Sequence, residues 1–411
     1  MTILGIESSC DETAAAVIEE KGGRIKVLAS VISSQIETFK GYGGVIPEVA
    51  ARKHVLMIVP VINEAIKKSG IKLPSPRRKG PGRAGEGLDA IAVTAGPGLA
   101  TSLMVGVETA KTLAFAWGLP LIAVNHIEGH IYANFISPES LSKISAQGGS
   151  ASGGKNPCLA GRQAKSKIQN NILFPALVLT VSGGHTMLVL MTDYGKYKVI
   201  GETRDDAAGE AFDKAARILG LGYPGGPAIA AEAAKIKKSP LRPSRLRLAE
   251  ADPRSEASKF PISLPRPMIN SGNYEFSFSG LKTALLYKAQ KDPLYPAEGE
   301  AGEEWKKRVP EYCAEFQQAI IDVLITKALK AAAEYKVKTI MLSGGVSANK
   351  ELRRQMGEAI KKRFFKVRFL VPRPEFTTDN AAMIAAAGYF QAKGRGFSKP
   401  EKVIADPGLR L

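Results

Sequence analysis

Two imidazoles stand one helical turn apart at His126 and His130, in the segment Asn125-His126-Ile127-Glu128-Gly129-His130. Residues at i and i+4 share a helix face, so both side chains can reach one bound ion. The chain has four histidines in all, so half of them fall in this segment. The plainer alternative is a strand end followed by a helix with two ordinary histidines. In either case two nitrogens leave a metal short of a ligand. Asp379, in Thr377-Thr378-Asp379-Asn380, opens an Ala-rich stretch and is either a helix N-cap or the missing anionic ligand. Glu128 lies two residues after the first histidine, which turns it away from the imidazole face. That spacing departs from the H-E-x-x-H pattern of metallopeptidases.

Further chemistry is suggested by turns that end apolar strands, at residues 7–13, 181–186 and 343–349. The second and third carry Gly183-Gly184 and Gly344-Gly345, and glycine lets backbone N–H groups approach an anion. In a duplicated α/β plan these turns favour a nucleotide or phosphoester over plain hairpins. No Walker A spacing is present. Gly222-Tyr223-Pro224-Gly225-Gly226-Pro227 is a rigid turn, and Asp213 on the preceding helix is either a ribose contact or a solvated carboxylate. Ser277 and Ser279 lack a G-x-S-x-G context, which leaves helix capping or substrate contact.

These residues need strands and helices to hold them. Strands are predicted at 2–6, 14–18 and 25–32, a helix over 47–68, a strand at 88–94 and a helix over 101–117. The second half repeats the scheme. Strands at 176–181 and 187–190 precede helices over 207–219 and 311–335, and a strand follows at 339–342. The repetition predicts a duplicated two-lobe α/β fold with a ligand cleft between the lobes. The first lobe spans 1–136, with a C-terminal helix at about 380–411 packed back on it; the second spans 172–379. Three basic stretches rich in Pro, Gly and Ser, at 74–87, 138–171 and 237–259, read as flexible surface insertions.

With 411 residues, 45% of them hydrophobic, the chain can bury a substantial core. Cys10, Cys158 and Cys313 are scattered without a pairing pattern, which fits a reducing, cytoplasmic setting. No secretory leader is evident, and no apolar run approaches the ~20 residues of a membrane span. The net charge of +18 points to a polyanionic partner, nucleic acid first. Part of that charge lies in the insertions. The cluster Lys361-Lys362-Arg363, Lys366 and Arg368 follows a helical pattern and is better placed for a fixed surface.

In chain order, Gly5-Ile6-Glu7-Ser8-Ser9-Cys10-Asp11-Glu12-Thr13, His126-Ile127-Glu128-Gly129-His130, Val181-Ser182-Gly183-Gly184-His185-Thr186, Tyr223-Pro224-Gly225-Gly226-Pro227, Ser343-Gly344-Gly345-Val346-Ser347-Ala348-Asn349 and Thr378-Asp379-Asn380 resemble the motifs of one family. It is the TsaD family of bacterial tRNA N6-adenosine threonylcarbamoyltransferases, whose relatives were once described as O-sialoglycoprotein endopeptidases. The likeness covers nearly the whole chain outside the insertions. It implies an actin/Hsp70/sugar-kinase-like architecture. It also implies one divalent metal, Fe2+ or Zn2+, on His126, His130 and Asp379. Substrate contacts are implied for Thr180, Val181, Ser182, Gly183, Gly184, Asp213, Gly226 and Asn349.

The implied reaction moves a threonylcarbamoyl group from threonylcarbamoyl-AMP to N6 of the adenosine at position 37, beside the anticodon, in tRNAs reading codons that start with A. The implied partners are TsaB-like and TsaE-like subunits, with the adenylate made by TsaC, and no membrane. No residue stands out as proton acceptor. Asp11 and Glu12 are either catalytic, phosphate-adjacent or turn caps. The competing readings are a small-molecule kinase, a metallopeptidase and a nucleotide-dependent binding subunit.

Overall fold

The computed structural model describes residues 1–72, 87–136, 172–236, 262–296 and 302–411; apart from Gly87, the three insertions lie outside them. The chain forms two compact units, 1–33 with 47–173 and 379–410, and 34–46 with 174–378.

In the first unit, β1 (Thr2–Glu7), β2 (Glu12–Lys21), β3 (Arg24–Ser34), β4 (Ala90–Gly96) and β5 (Leu121–Asn125) form one sheet in the order β3-β2-β1-β4-β5. β2 runs antiparallel to β1, whereas β4 is parallel to both β1 and β5. β1 and β4 are buried at every position, the continuous pattern of strands covered on both faces. Leu4 and Ile6 share a core with Ile58 and Ile62 of α2 (Pro47–Ser69) and Val107 of α3 (Ala100–Trp117). Gly5, between them, faces the other way. A Cβ there would lie 2.2 Å from the carbonyl oxygen of Ala381, the first residue of α10 (Ala381–Arg395). Only glycine lets that helix settle this close to the sheet. α10 also packs on α4 (His126–Tyr132), where Gly129 provides the close approach: a Cβ there would meet Ile384 Cδ1 at 2.7 Å.

In the second unit, β6 (Ala176–Val181), β7 (Thr186–Asp193), β8 (Lys196–Glu202), β9 (Thr339–Ser343) and β10 (Arg368–Leu370) are ordered β10-β9-β6-β7-β8. β7 is antiparallel to both neighbours, and β9 is parallel to β6 and β10. Counted from its own first strand, each sheet therefore reads 3-2-1-4-5. This repetition is the duplicated two-lobe α/β fold of the actin and sugar-kinase class. The helices of the unit are α5 (Ala208–Ile218), α6 (Gly225–Ala233), α7 (Ser279–Gln290), α8 (Glu303–Glu334) and α9 (Lys350–Arg363). Phe212 of α5 and Phe316 of α8 meet edge to face within its core. The short helix α1 (Ile36–Lys40) belongs to this unit, and Gly43 just after it accepts a hydrogen bond from Arg217.

The long helix begins eight residues before the expected start at 311 and continues through Pro310. Trp305 and Val309 are buried in the second core, and Glu303 and Glu304 suit the positive helix start. Packing of those side chains outweighs the one backbone hydrogen bond that proline forfeits.

Candidate metal centre and anion-binding loops

Asn125 ends β5 and caps α4, its Oδ1 accepting from Ile127 N at 2.8 Å and from Glu128 N. This sharp strand-to-helix start fixes His126 and His130 one turn apart, both buried. Their rings meet edge to face with centroids 4.6 Å apart. Asp379 precedes α10. It is not the cap expected as one alternative, because Asn380 takes that role by accepting from Met383 N. Its carboxylate is left to face the histidines. Asp379 Oδ1 is 3.5 Å from His126 Nε2 and 3.2 Å from His130 Nε2. Ligand atoms held about 2 Å from one ion lie roughly 3.3 Å apart in a tetrahedral site, so these distances suit a shared cation.

The hydrogen-bond pattern agrees. Among the described residues neither ring nitrogen of His130 has an assigned hydrogen-bond partner, although the ring is fully buried, and Nε2 lies 3.2 Å from Asp379 Oδ1. A buried nitrogen aimed at a carboxylate in this way fits a metal ligand. Together, one ligand atom each from His126, His130 and Asp379 lie within 4.8 Å of one another.

Glu7, at the end of β1, opens the first of the expected ligand turns, but its place beside the histidines was not anticipated. It is fully buried and accepts from Ser9 N at 2.5 Å, from Thr94 Oγ1 at 2.7 Å and from His126 Nδ1 at 3.1 Å. A carboxylate only accepts, so Nδ1 carries a proton, and Nε2 is the nitrogen at which an ion can take the place of a second proton. Ser9 Oγ lies 3.1 Å from the same Nδ1. The signal was present in the sequence as a lone acid closing an apolar strand. Burial disfavours an imidazolium at His126, but Asp379 and Glu7 outweigh it and hold that ring well above the ordinary histidine range. At His130 burial wins and lowers the ring. Burial also pushes Glu7 and Asp379 up, and His126 more than reverses both, leaving each carboxyl below its usual range. The same field favours a metal cation.

Glu128 lies outside this cluster, with Oε1 3.6 Å from Arg395 Nη1 on α10. The turn after β1 is tied elsewhere: His54 of α2 bonds the Thr13 hydroxyl at 2.8 Å and the Cys10 carbonyl at 2.9 Å. Asp11 is buried and Glu12 half-buried beside that turn.

The expected substrate residues all lie in the second unit. Thr180 and Val181 are buried, and the Thr180 hydroxyl is used in a 2.9 Å bond to Ser343 across paired strands. Ser182 Oγ accepts from His185 N at 3.1 Å and closes the turn around Gly183 and Gly184. Both glycines face open space. Gly344, with φ of +82°, sits against the Val181 carbonyl, so the turns after β6 and β9 touch. Gly209 of α5 packs on Ser182, and one turn later Asp213 Oδ1 accepts from Gly225 N at 2.7 Å. Gly225 has no room for a Cβ, whereas the side of Gly226 is open. Asn349 caps α9 through Oδ1 and donates from Nδ2 to Gln317 at 2.8 Å. Thus the structure joins 180–184 to 344 and, through α5, to Asp213 and Gly225. Ser277 and Ser279 do not cap α7 with their own oxygens: both hydroxyls donate to Asp205, which accepts from Phe278 N and Ser279 N at the start of the helix.

Fold and site together define a duplicated two-lobe α/β protein whose first unit carries a His/His/carboxylate cluster able to hold a metal ion. A model of the family described as tRNA N6-adenosine threonylcarbamoyltransferase (TsaD) matches residues 26–166 and 158–386. A protein of that name from Geobacillus thermodenitrificans is 43% identical over 100% of this chain and 96% of its own. One from Bacillus subtilis is 41% identical, again over 100% of this chain and 96% of its own. The solved activator of 2-hydroxyisocaproyl-CoA dehydratase from Clostridium difficile covers 97% of this chain and 100% of its own at 12% identity, with a TM-score of 0.44, too distant to add to the fold read from the sheets. The chain belongs to the tRNA N6-adenosine threonylcarbamoyltransferase family and is a transferase.

Proposed function

We infer that the chain transfers a threonylcarbamoyl group to N6 of an adenosine in tRNA, the reaction for which its family is named. The observation that carries this reading is the His126/His130/Asp379 cluster, with both histidines buried, in a chain so similar to curated transferases. We further take threonylcarbamoyl-AMP as donor and the adenosine beside the anticodon as acceptor. An exocyclic amine is a weak nucleophile, so the donor carbonyl must be polarised and AMP must depart as an anion. A divalent ion on the three ligands, Fe2+ by preference with Zn2+ compatible with the same donors, would supply Lewis acidity.

The chain's own residues do the rest. Glu7 holds the His126 proton on Nδ1, and Asn125 fixes the start of α4. Gly183, Gly184 and Gly226 leave free space where a side chain would stand, so a phosphate of the adenylate can approach their backbone. Asp11 or Glu12 takes the N6 proton; unchanged transfer by Glu12→Gln would remove Glu12 from that role. The acceptor belongs to a single-stranded loop, where a base can be splayed out.

A TsaB-like subunit fits the water-facing side of α2, where Val55, Leu56 and Val59 are 62%, 71% and 56% exposed. Such a stripe on a surface helix supports a protein contact there. A TsaE-like subunit completes the set. Among the described residues no helix is long and apolar enough to cross a membrane. A metallopeptidase would need Glu128 beside the triad, and it lies outside it. A kinase or a binding subunit leaves the triad without a task.

The test is reconstitution with partner subunits, unmodified tRNA and threonylcarbamoyl-AMP, following threonylcarbamoyladenosine by nucleoside mass spectrometry. Wild type makes product, and His126→Ala loses product together with bound metal. A folded, metal-loaded wild type that makes none refutes the reading.

A further inference from the structure

α9 ends in Lys361-Lys362-Arg363, and the chain continues through Phe364, Phe365 and Lys366 to Arg368 at the start of β10. Between Glu358 and Glu375 the sequence contains no acid, while Lys361, Lys362, Arg363, Lys366, Arg368 and Arg373 supply six cations. Lys361, Lys362, Arg363 and Lys366 are all exposed, and none of the four forms an ion pair among the described residues. The contrast lies on the same helix, where Arg354 is paired with both Glu351 and Glu358. Phe364 packs on the second core with Arg363 over its ring at 5.6 Å, whereas Phe365 is 99% exposed.

Last-turn lysines ordinarily complement the helix dipole. That role ends with the helix, and it explains neither Lys366 nor a phenyl ring held wholly in water. A helix end and an edge strand fix the segment at both sides, so the cations and the ring form one defined surface. A phosphodiester chain with unstacked bases satisfies both components, phosphates for the lysines and a base face for the ring. An anionic membrane would satisfy the charge, yet a single ring inserts little apolar area.

We propose that Lys361, Lys362, Arg363, Phe365 and Lys366 form a docking surface for the tRNA substrate, with the cations on backbone phosphates and Phe365 stacked on an unpaired base. This rests on the tRNA-modifying reading above and adds where the RNA is held. The surface is a binding element, separate in sequence from the ligand triad and the glycine loops, so it sets affinity and not the chemical step.

The experiment compares the full chain with the triple variant Lys361→Gln, Lys362→Gln, Lys366→Gln and with Phe365→Ala. Unmodified tRNA is titrated by fluorescence anisotropy between about 50 and 200 mM salt, and KM for tRNA is measured in the reconstituted reaction. All substituted side chains are exposed, so thermal melts should match wild type. The triple variant should lower the log–log salt slope by about two to three and raise KM at unchanged kcat. Phe365→Ala should weaken binding about tenfold at an unchanged slope. A triple variant with wild-type slope and KM overturns the proposal, as does a wild type whose tRNA affinity is insensitive to salt. So does loss of binding to anionic vesicles with tRNA affinity intact, which would assign the patch to a membrane. Product from wild type keeps the transferase reading whatever the variants show; absence of product from wild type fails that reading instead.

Discussion

Glu7 shows how much of this site rests on one side chain that touches no expected ligand atom. It holds the proton of His126 on the nitrogen that faces away from Asp379. Carboxylates in this position raise ligand basicity and lock the ring, and their loss ordinarily costs tenfold to a hundredfold in metal affinity. Glu7→Gln should therefore weaken metal binding by about that factor in a chelator competition, with near-UV circular dichroism unchanged; wild-type affinity would show that the contact is idle. The paired histidines were legible because their spacing is local. Glu7 was not, because its partner lies 119 residues away and no local pattern announces a buried acid's contact.

Lys327 gives a second residue-scale test, with a sign that can be worked out. It is 1% exposed, donates to Ser271 Oγ at 2.7 Å and to the Asn273 carbonyl, and burial pulls it down from 10.5 to about 8. Between those values the unfolded chain binds the extra proton, so stability rises with pH; the benefit is complete above 10.5 and lost as pH falls through 8. Urea midpoints of wild type relative to Lys327→Met should thus improve from about pH 7.5 to about pH 10, by up to the order of 3 kcal/mol. A difference independent of pH would mean that the lysine is hydrated.

At the scale of elements, α10 is held against the first sheet by glycine. Gly5→Ala drives a Cβ into the Ala381 carbonyl, a backbone atom that cannot turn aside. The substitution should destabilise by about 3 kcal/mol or more and displace Asp379, so both the melting temperature and the metal content should fall. An unchanged metal content would place the ligand under other control. Asp205→Ala removes the acceptor at the head of α7 and should cost about 1–2 kcal/mol in urea unfolding, with metal content unaltered. The alternation of strand, turn and helix was readable because hydrophobic period and glycine punctuation are local. The true start of α8 was not, since what carries it through Pro310 is the burial of Trp305 and Val309 in a core assembled from distant segments.

At the scale of the molecule, two sheets of one topology carry different candidate sites, the His/His/carboxylate cluster in the first unit and the glycine turns in the second. Chelation should therefore act locally. Hydrogen exchange of the metal-loaded chain, before and after removal of the ion, should quicken in α4 and at the start of α10 and stay constant in β6 and β9. A uniform change would refute that separation. The duplicated plan was legible in the repeated order of elements; residues 379–410 group with the first unit through contacts between segments far apart in the chain.

That grouping carries a consequence for how the protein is made. His126 and His130 leave the ribosome about 250 residues ahead of Asp379. At roughly 5–20 residues per second, the growing chain spends on the order of ten to fifty seconds with two ligands and no third. A message cut short at any point before residue 379 thus yields a polypeptide that lacks the complete metal cluster, however well its second unit has folded. Metal loading at this cluster would in effect report on synthesis, available only to chains translated past Asp379.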